Sequence, residues 1–151
     1  MHTSQIPPIG RTGLEKLPVY KLREHLSRLF ERLVVIDAIN MVGKISCFLC
    51  RRRFPYTVID LKYFSQGSSI CYLRENVYFC CWRCENKTSQ IEGKIIKKAG
   101  EDFFERLEYT QKHTKLSRLE ITEMIIKMQR LLKNHDNYER KPRQARKKRT
   151  S

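Results

Sequence analysis

Two cysteine pairs, Cys47-Phe-Leu-Cys50 and Cys81-Trp-Arg-Cys84, have the residue type and the spacing that metal binding requires. Two residues separate the thiols of each pair, so a short turn directs both sulfur atoms toward one point. Two such turns supply four thiolates in a tetrahedron, which predicts one structural Zn²⁺ per chain. The alternatives are reduced core cysteines and disulfides. Disulfides are disfavoured because the chain opens without a signal peptide or apolar targeting segment, which favours an intracellular location.

The remaining cysteines, Cys71 and Cys80, are predicted to be core residues. Cys80 is adjacent to Cys81 and competes with it for the metal. The sequence therefore leaves open which of these two thiols is the ligand.

The charge of the chain indicates an anionic partner. Its 151 residues carry a formal net charge of +15. Such a charge attracts polyanions, and nucleic acid, with DNA first, is the predicted partner. An acidic protein or a membrane surface could use the same charge. No apolar run approaches the roughly 20 residues that cross a bilayer, so a soluble protein without a membrane partner is expected.

Part of this charge lies in the C-terminal tail. Removing its seven basic residues from +15 still leaves +8, so the rest of the chain is basic in its own right. These seven are Arg140, Lys141, Arg143, Arg146, Lys147, Lys148 and Arg149.

The chain divides into three predicted parts. Residues 1–16 are expected to form a flexible arm, residues 17–135 a zinc-binding domain with flanking helices, and residues 136–151 a disordered basic tail. A helix is predicted from Pro18 to a point before Gly43. Between the cysteine pairs, Tyr56–Ile59 and Cys71–Leu73 predict a short antiparallel hairpin, with residues 66–69 as its loop.

Three helical segments follow the second cysteine pair. Ser89 and Glu92 predict a capping box for the first, and Gly100 is placed to end it. The second passes through Phe103, Phe104 and Leu107. Ser117 and Glu120 predict a capping box for the third, whose apolar stripe is a core face or a face for a partner protein: Leu119, Ile121, Met124, Ile125, Met128, Leu131 and Leu132. The predicted fold class is α+β, with a small zinc-anchored β-hairpin and helix packed against additional helices.

The segment Arg74-Glu-Asn-Val-Tyr-Phe-Cys-Cys-Trp-Arg-Cys-Glu85 resembles the metal-and-helix segment of HNH (ββα-metal) nucleases. Within that group the chain is most similar to the phage NinG (Rap) recombination nucleases. The similarity extends over residues 34–132, and Asn76-Val77 and Ala99-Gly100-Glu101 match further family positions. It implies a ββα-metal or treble-clef-like fold and hydrolysis of DNA phosphodiesters by a histidine base and a divalent metal, usually Mg²⁺.

The chain departs from that family pattern at the catalytic positions. None of its four histidines lies between Cys47 and Cys84. Lys62 stands at the position of the general base, Tyr78 replaces the second histidine, and Glu85 replaces an asparagine. Since loss of a general base removes about 10²–10⁴-fold of rate, the conventional nuclease mechanism is not expected.

Asp60, Lys62 and Asn76 are the remaining catalytic candidates. Asp60 lies two residues before Lys62, so both face one side of an extended strand. With Asn76 and with Glu75 or Glu85, it could form an oxygen-rich Mg²⁺ site. Alternatively, Lys62 contacts phosphate as a point charge and the domain binds nucleic acid without cutting it.

Three functions remain in competition. The first is a nucleic-acid-binding zinc protein with a degenerate nuclease domain, in phage-type DNA recombination, replication or transcription. The second is an active Mg²⁺-dependent, structure-selective endonuclease, and the third is a zinc-scaffolded protein adaptor that uses the 119–132 helix. Trp82 and Tyr78 could stack on bases, although aromatic residues beside a zinc site more often pack around it. The predicted phosphate contacts are Arg51, Arg52, Arg53, Lys62, Arg74, Arg83, Arg146, Lys147, Lys148 and Arg149.

Overall fold

The computed structural model describes the backbone of residues 7–149 and the side chains of residues 7–135. Within this part of the chain, five α-helices and two small antiparallel sheets give the predicted α+β class. The sequence predicted one domain over residues 17–135, but the described chain divides into two compact units. We call residues 34–116 the cysteine unit, and residues 7–33 with 117–149 the helical unit.

The helical unit contains α1 (Arg11–Glu15), residues 19–33 of α2 (Val19–Ala38), and α5 (Arg118–Arg149). Helix α2 follows Pro18 and ends before Gly43, as predicted. Apolar residues recur along it at helical spacing, and Leu22 and Leu26 are fully buried. This burial is what the amphipathic pattern of the sequence implies.

Residues 7–16 are ordered by specific contacts, where the sequence predicted a flexible arm. Leu14 in α1 is fully buried. The backbone N–H of Ile9 donates to Gln129 Oε1 at 2.8 Å, and Gln129 Nε2 donates to the Ile9 carbonyl at 3.0 Å. Arg11 pairs with Glu123 at 2.6 Å. A five-residue helix with one buried leucine leaves no periodic pattern in the sequence, which is why the prediction missed it.

Helix α5 begins at the predicted capping box. The Glu120 backbone N–H donates to Ser117 Oγ at 3.1 Å, and Ser117 Oγ donates to the Glu120 carboxylate at the same distance. The helix backbone continues to Arg149, where the sequence predicted disorder from residue 136. Arg and Lys, which make up half of residues 136–149, have high helix propensity.

The apolar stripe of α5 contributes three of its seven residues to the core of the helical unit. Ile121 and Ile125 are fully buried, and Leu132 is 9% exposed. Leu119 and Leu131 remain exposed. Met124 and Met128 are half-buried. The core-face interpretation therefore fits Ile121, Ile125 and Leu132, whereas the two leucines and part of each methionine stay accessible to a partner protein.

Two short hairpins form the β-structure of the cysteine unit. Strand β1 (Lys44–Ser46) pairs with β2 (Arg53–Pro55), and β3 (Asp60–Tyr63) pairs with β4 (Val77–Cys80). The strands predicted at 56–59 and 71–73 are turns instead. Their apolar residues signal burial rather than pairing: Ile59 is 2% and Tyr72 8% exposed.

Helices α3 (Thr88–Ala99) and α4 (Phe103–His113) complete the cysteine unit. Helix α3 follows Lys87 without a side-chain cap, so the predicted Ser89–Glu92 capping box is wrong. Gly100 ends it as predicted, because its φ of 107° suits glycine and its N–H donates to the Ile96 carbonyl at 2.9 Å. The core gathers residues from the β3–β4 connection, α3 and α4: Ile70, Ile95, Phe103 and Leu107.

Within the described residues, no helix combines the length and apolarity that crossing a membrane requires.

Candidate metal centre

Four cysteines converge on one point in the cysteine unit. The Sγ atoms of Cys47, Cys50, Cys81 and Cys84 all lie within 4.8 Å of one another. Cys50 Sγ and Cys81 Sγ are 3.8 Å apart. A tetrahedral ion with metal–sulfur bonds of about 2.3 Å has sulfur–sulfur edges of about 3.8 Å. The four thiols are therefore placed to hold one metal ion, as the two cysteine pairs predicted.

Disulfides do not explain this cluster. A disulfide requires sulfur atoms about 2.05 Å apart, whereas the Cys50 and Cys81 sulfurs are separated by 3.8 Å. None of the six cysteines, all of which lie in the described part of the chain, forms a disulfide. The thiols are thus available as ligands.

Each cysteine pair is positioned by a hairpin. Cys47 and Cys50 occupy the turn that joins β1 to β2, and the Cys47 N–H donates to the Arg52 carbonyl at 2.9 Å. Cys81 and Cys84 follow β4 directly and precede α3. The Phe48 N–H donates to the Phe79 carbonyl at 2.8 Å. This bond joins the first turn to the second hairpin, so the two cysteine pairs are held together by backbone.

The first turn closes through an unusual backbone conformation. Arg51 has a φ of 61°, the left-handed region that side chains other than glycine rarely adopt. Its N–H donates to the Cys47 carbonyl at 3.0 Å. The conformation turns the chain back into β2 immediately after Cys50. No sequence pattern indicated it, since arginine stands where glycine is easiest.

Lys94 on α3 binds the first cysteine turn through its backbone carbonyls. Its ammonium group donates to the Phe48 carbonyl and reaches the Leu49 carbonyl at 3.5 Å. It also lies 4.9 Å from the centre of the Phe48 ring. Burial lowers the pKa of Lys94, and the positive charges of Arg51 and Lys98 act in the same direction. No local sequence pattern indicated this contact, because it depends on the packing of α3.

The cluster thiols differ in acidity when no metal is bound. Burial acts to raise the pKa of Cys47, but hydrogen bonds from the backbone N–H groups of Cys81, Cys50 and Leu49 outweigh it and lower the pKa to about 6. Burial, with hydrogen bonds to Cys81, Cys50 and Cys47, raises the pKa of Cys84 to about 12. The Cys47 thiolate is thus favoured at neutral pH, and a metal must displace the proton of Cys84 when it binds.

The geometry selects Cys81 over Cys80 as the fourth ligand. Cys80 is not among the four clustered sulfurs. Its thiol is 2% exposed and lies 3.5 Å from the Cys81 carbonyl. Burial, followed by the negative charges of Cys47 and Cys81, raises the pKa of Cys80 to about 12. Cys80 is therefore a buried neutral thiol, in agreement with the prediction that it is a core residue.

Asn76 is fully buried and fixes a loop. Its Oδ1 accepts from the Ser65 N–H at 2.9 Å, and its Nδ2 donates to the carbonyls of Ser65 at 2.9 Å and Ile70 at 3.1 Å. These bonds close the long connection between β3 and β4. The amide is enclosed and fully engaged, so a hydrated Mg²⁺ does not reach it, and its role here is structural.

The other catalytic candidates do not assemble a second metal site. Asp60 and Lys62 lie on β3 opposite Cys80 and Tyr78. Burial raises the pKa of Tyr78, and the negative charges of Cys80 and Glu92 add to this effect, so its phenol is a poor Mg²⁺ ligand. Among residues 7–135, the cysteine cluster is the one group of three or more His, Cys, Asp or Glu side chains gathered at a point. The carboxylates of Asp60, Glu75 and Glu85 therefore do not form the predicted Mg²⁺ cage.

Most of the predicted phosphate contacts in the cysteine unit are accessible. Arg51, Arg52 and Arg53 are exposed around the first turn, and Arg83 is exposed in the second. Lys62 is half-buried, and Arg74 is exposed in the 3₁₀ turn that precedes β4. Predicted contacts through the side chains of Arg146, Lys147, Lys148 and Arg149 lie outside the described residues.

The aromatic residues near the cluster follow two patterns. Phe48, Phe64 and Tyr78 pack together, with ring centres 4.4–5.7 Å apart. Trp82, in the second cysteine turn, is 62% exposed. The expectation that aromatic residues pack around the site holds for the first three but not for Trp82.

Comparison of the chain with models of protein families, with curated proteins and with solved structures finds no match in any of the three. A functional interpretation therefore depends on the site itself.

Proposed function

We propose that the cysteine unit binds one structural Zn²⁺ and uses the basic surface around it to bind nucleic acid, DNA first. The observation that carries the proposal is the placement of four cysteine sulfurs at tetrahedral distances beside exposed arginines. Zinc is the ion for which four thiolates in a closed tetrahedral site are typical. The hairpins of three or four residues per strand are too short to be stable alone, so an ion that ties them together has a clear structural role.

The order of elements supports a treble-clef-like or ββα-metal arrangement. A cysteine turn within one hairpin is followed by a second hairpin, then by a second cysteine pair at the start of a helix. This order agrees with the resemblance to HNH nucleases of the NinG type. That resemblance remains the only basis for a role in phage-type DNA recombination, replication or transcription.

The charge around the cluster favours a polyanion. Residues 47–53 and 81–98 contain eight basic side chains and two acidic ones. Four thiolates with one Zn²⁺ contribute about two negative charges, which offset only part of this excess. Exposed arginines on rigid turns contact phosphates without reading base sequence, so the binding is expected to be electrostatic and salt-dependent.

Binding across a salt series tests this proposal. The test variant changes Arg51, Arg52 and Arg53 to Gln, which removes three positive charges beside the cluster. The matched control removes three exposed charges from α4 and the segment after it, with Arg106→Gln, Lys112→Gln and Lys115→Gln. For duplex DNA, each lost phosphate contact lowers the slope of log affinity against log salt by about 0.9.

We expect the first triple variant to lower that slope by up to about 3, and the control to change it by less than about 1. Equal effects of the two variants would place the DNA elsewhere, and salt-insensitive or absent binding would contradict the proposal.

A plasmid-nicking assay with Mg²⁺ addresses the nuclease alternative. We expect no cleavage; cleavage that Asp60→Ala abolishes would establish an enzyme.

A further inference from the structure

The indole of Trp82 lies largely outside the packed core of the cysteine unit. It is the single tryptophan of the chain and is 62% exposed. A packed tryptophan buries roughly 150–250 Å² and is among the most stabilising of core residues. Nearby Phe48, Phe64 and Tyr78 do pack against one another. Trp82 therefore does not make the contribution to folding stability that these packed aromatic residues make.

One face of the ring is in contact with the neighbouring arginine. The guanidinium of Arg83 lies 4.8 Å from the centre of the indole, a cation–π contact that covers one face. The turn that carries both residues is fixed by the Cys84 N–H, which donates to the Cys81 carbonyl at 3.0 Å. Cys81 and Cys84 are themselves members of the cysteine cluster. An exposed aromatic face on a constrained turn loses little conformational entropy when a flat ligand stacks on it.

The surrounding charge identifies the class of ligand. Cys50 and Cys81 are in contact across the cluster, so Arg51, which follows Cys50, and Trp82, which follows Cys81, flank the same site. Arg51–Arg53 and Arg83 are exposed there. A ligand that offers both a flat aromatic face and phosphate charge is a nucleotide within a nucleic-acid strand. In a duplex the base faces are covered by neighbouring bases, whereas in a single strand they are open to stacking.

We infer that Trp82 stacks on an unpaired base, so that the cysteine unit prefers single-stranded over double-stranded nucleic acid. This inference rests on the proposed nucleic-acid binding and names the form of the ligand. Stacking of one base on an aromatic side chain contributes about 1–3 kcal/mol, which corresponds to roughly 5–150-fold in affinity.

Fluorescence of the single tryptophan in the zinc-loaded full chain reports this contact directly. Three probes of equal phosphate number are compared: a thymidine oligonucleotide of about twelve residues, an abasic oligonucleotide, and a duplex. We expect the thymidine strand to quench Trp82, while the abasic strand and the duplex bind with little quenching. Trp82→Ala should weaken binding of the thymidine strand by about 5–150-fold, measured by anisotropy of labelled probes, and Trp82→Phe should restore part of it.

The matched control is Tyr109→Ala, which removes another exposed aromatic ring from the cysteine unit and should leave all three affinities within about twofold. Equal affinity of Trp82→Ala and the unchanged chain for the thymidine strand would overturn the stacking and leave nucleic-acid binding intact. Equal quenching by the abasic strand would do the same. Absence of binding to all three probes would overturn both proposals.

Discussion

The two units of the chain should differ in their dependence on a metal ion. In the helical unit, Leu14, Leu22, Leu26, Ile121 and Ile125 are fully buried. The cysteine unit also has an apolar core, which includes Ile45, Ile59 and Ile91 besides the cluster near α3 and α4, but its hairpins have strands of only three or four residues. We expect burial of apolar surface to be sufficient for the first unit. The second, whose short hairpins carry the four clustered thiols, should in addition need the metal ion that we propose it binds.

Removal of the metal should produce the largest difference in hydrogen-exchange protection between the two units. Structural zinc contributes binding free energy of about 10–16 kcal/mol in small zinc-dependent peptides. Chelation, or Cys81→Ser, should therefore abolish hydrogen-exchange protection in β1–β4 and α3. Protection in residues 19–33 and 118–135 should remain. Hydrogen exchange resolved by peptide checks this in the full chain.

Cys71→Ser is the control for the cysteine change. Cys71 lies outside the cluster, and its thiol donates to the Ser68 carbonyl at 3.4 Å, a bond that serine can replace. It should keep both the metal and the protection pattern. Equal loss of protection in both units after chelation would contradict the proposed division.

A cavity created in the helical unit should destabilise that unit and leave zinc binding by the cysteine unit unchanged. Ile125→Ala removes a fully buried side chain from α5, and such changes cost about 2–5 kcal/mol. Thermal unfolding should show a lower midpoint for the helical signal, with zinc stoichiometry unchanged. Leu131→Ala, at a position that is 47% exposed, should cost less than about 0.5 kcal/mol. A loss of zinc on Ile125→Ala would show that the units are not energetically separate.

Substitutions of Asn76 test whether its side-chain amide is structural or binds a metal ion. Asn76→Ala leaves the Ser65 N–H and the carbonyls of Ser65 and Ile70 without their partner, which should destabilise the cysteine unit by about 2–4 kcal/mol. Asn76→Asp should be equally harmful, since a carboxylate cannot donate. Denaturant unfolding measures both. If Asn76→Asp instead raised Mg²⁺ affinity without loss of stability, Asn76 would belong to a metal site.

Zinc affinity should rise with pH. The pKa of Cys84 is raised to about 12 in the metal-free chain, so its thiol is protonated at neutral pH and must lose that proton when zinc binds. One proton released per ion gives a tenfold gain in affinity, about 1.4 kcal/mol, per pH unit. Competition with a chromophoric chelator at two pH values measures this slope. An affinity independent of pH would mean that the ligands are already ionised.

The features that the sequence predicted correctly are local ones. The convergence of the four cysteines follows from the spacing within each pair, and the end of α3 and the start of α5 follow from Gly100 and Ser117. The strands could not be placed, because segments of three or four residues carry too little pattern and buried turns imitate it. The choice between Cys80 and Cys81, the Lys94 contact and the exposure of Trp82 depend on how β4 and α3 pack, which no local pattern reveals.

X-ray absorption at the zinc edge of the full chain tests the central claim most directly. The account predicts one zinc ion per chain, with four sulfur neighbours at about 2.3 Å and no nitrogen or oxygen in the first coordination shell. A shell that contains nitrogen or oxygen, or a chain that keeps its hydrogen-exchange protection in the cysteine unit without any metal, would contradict it.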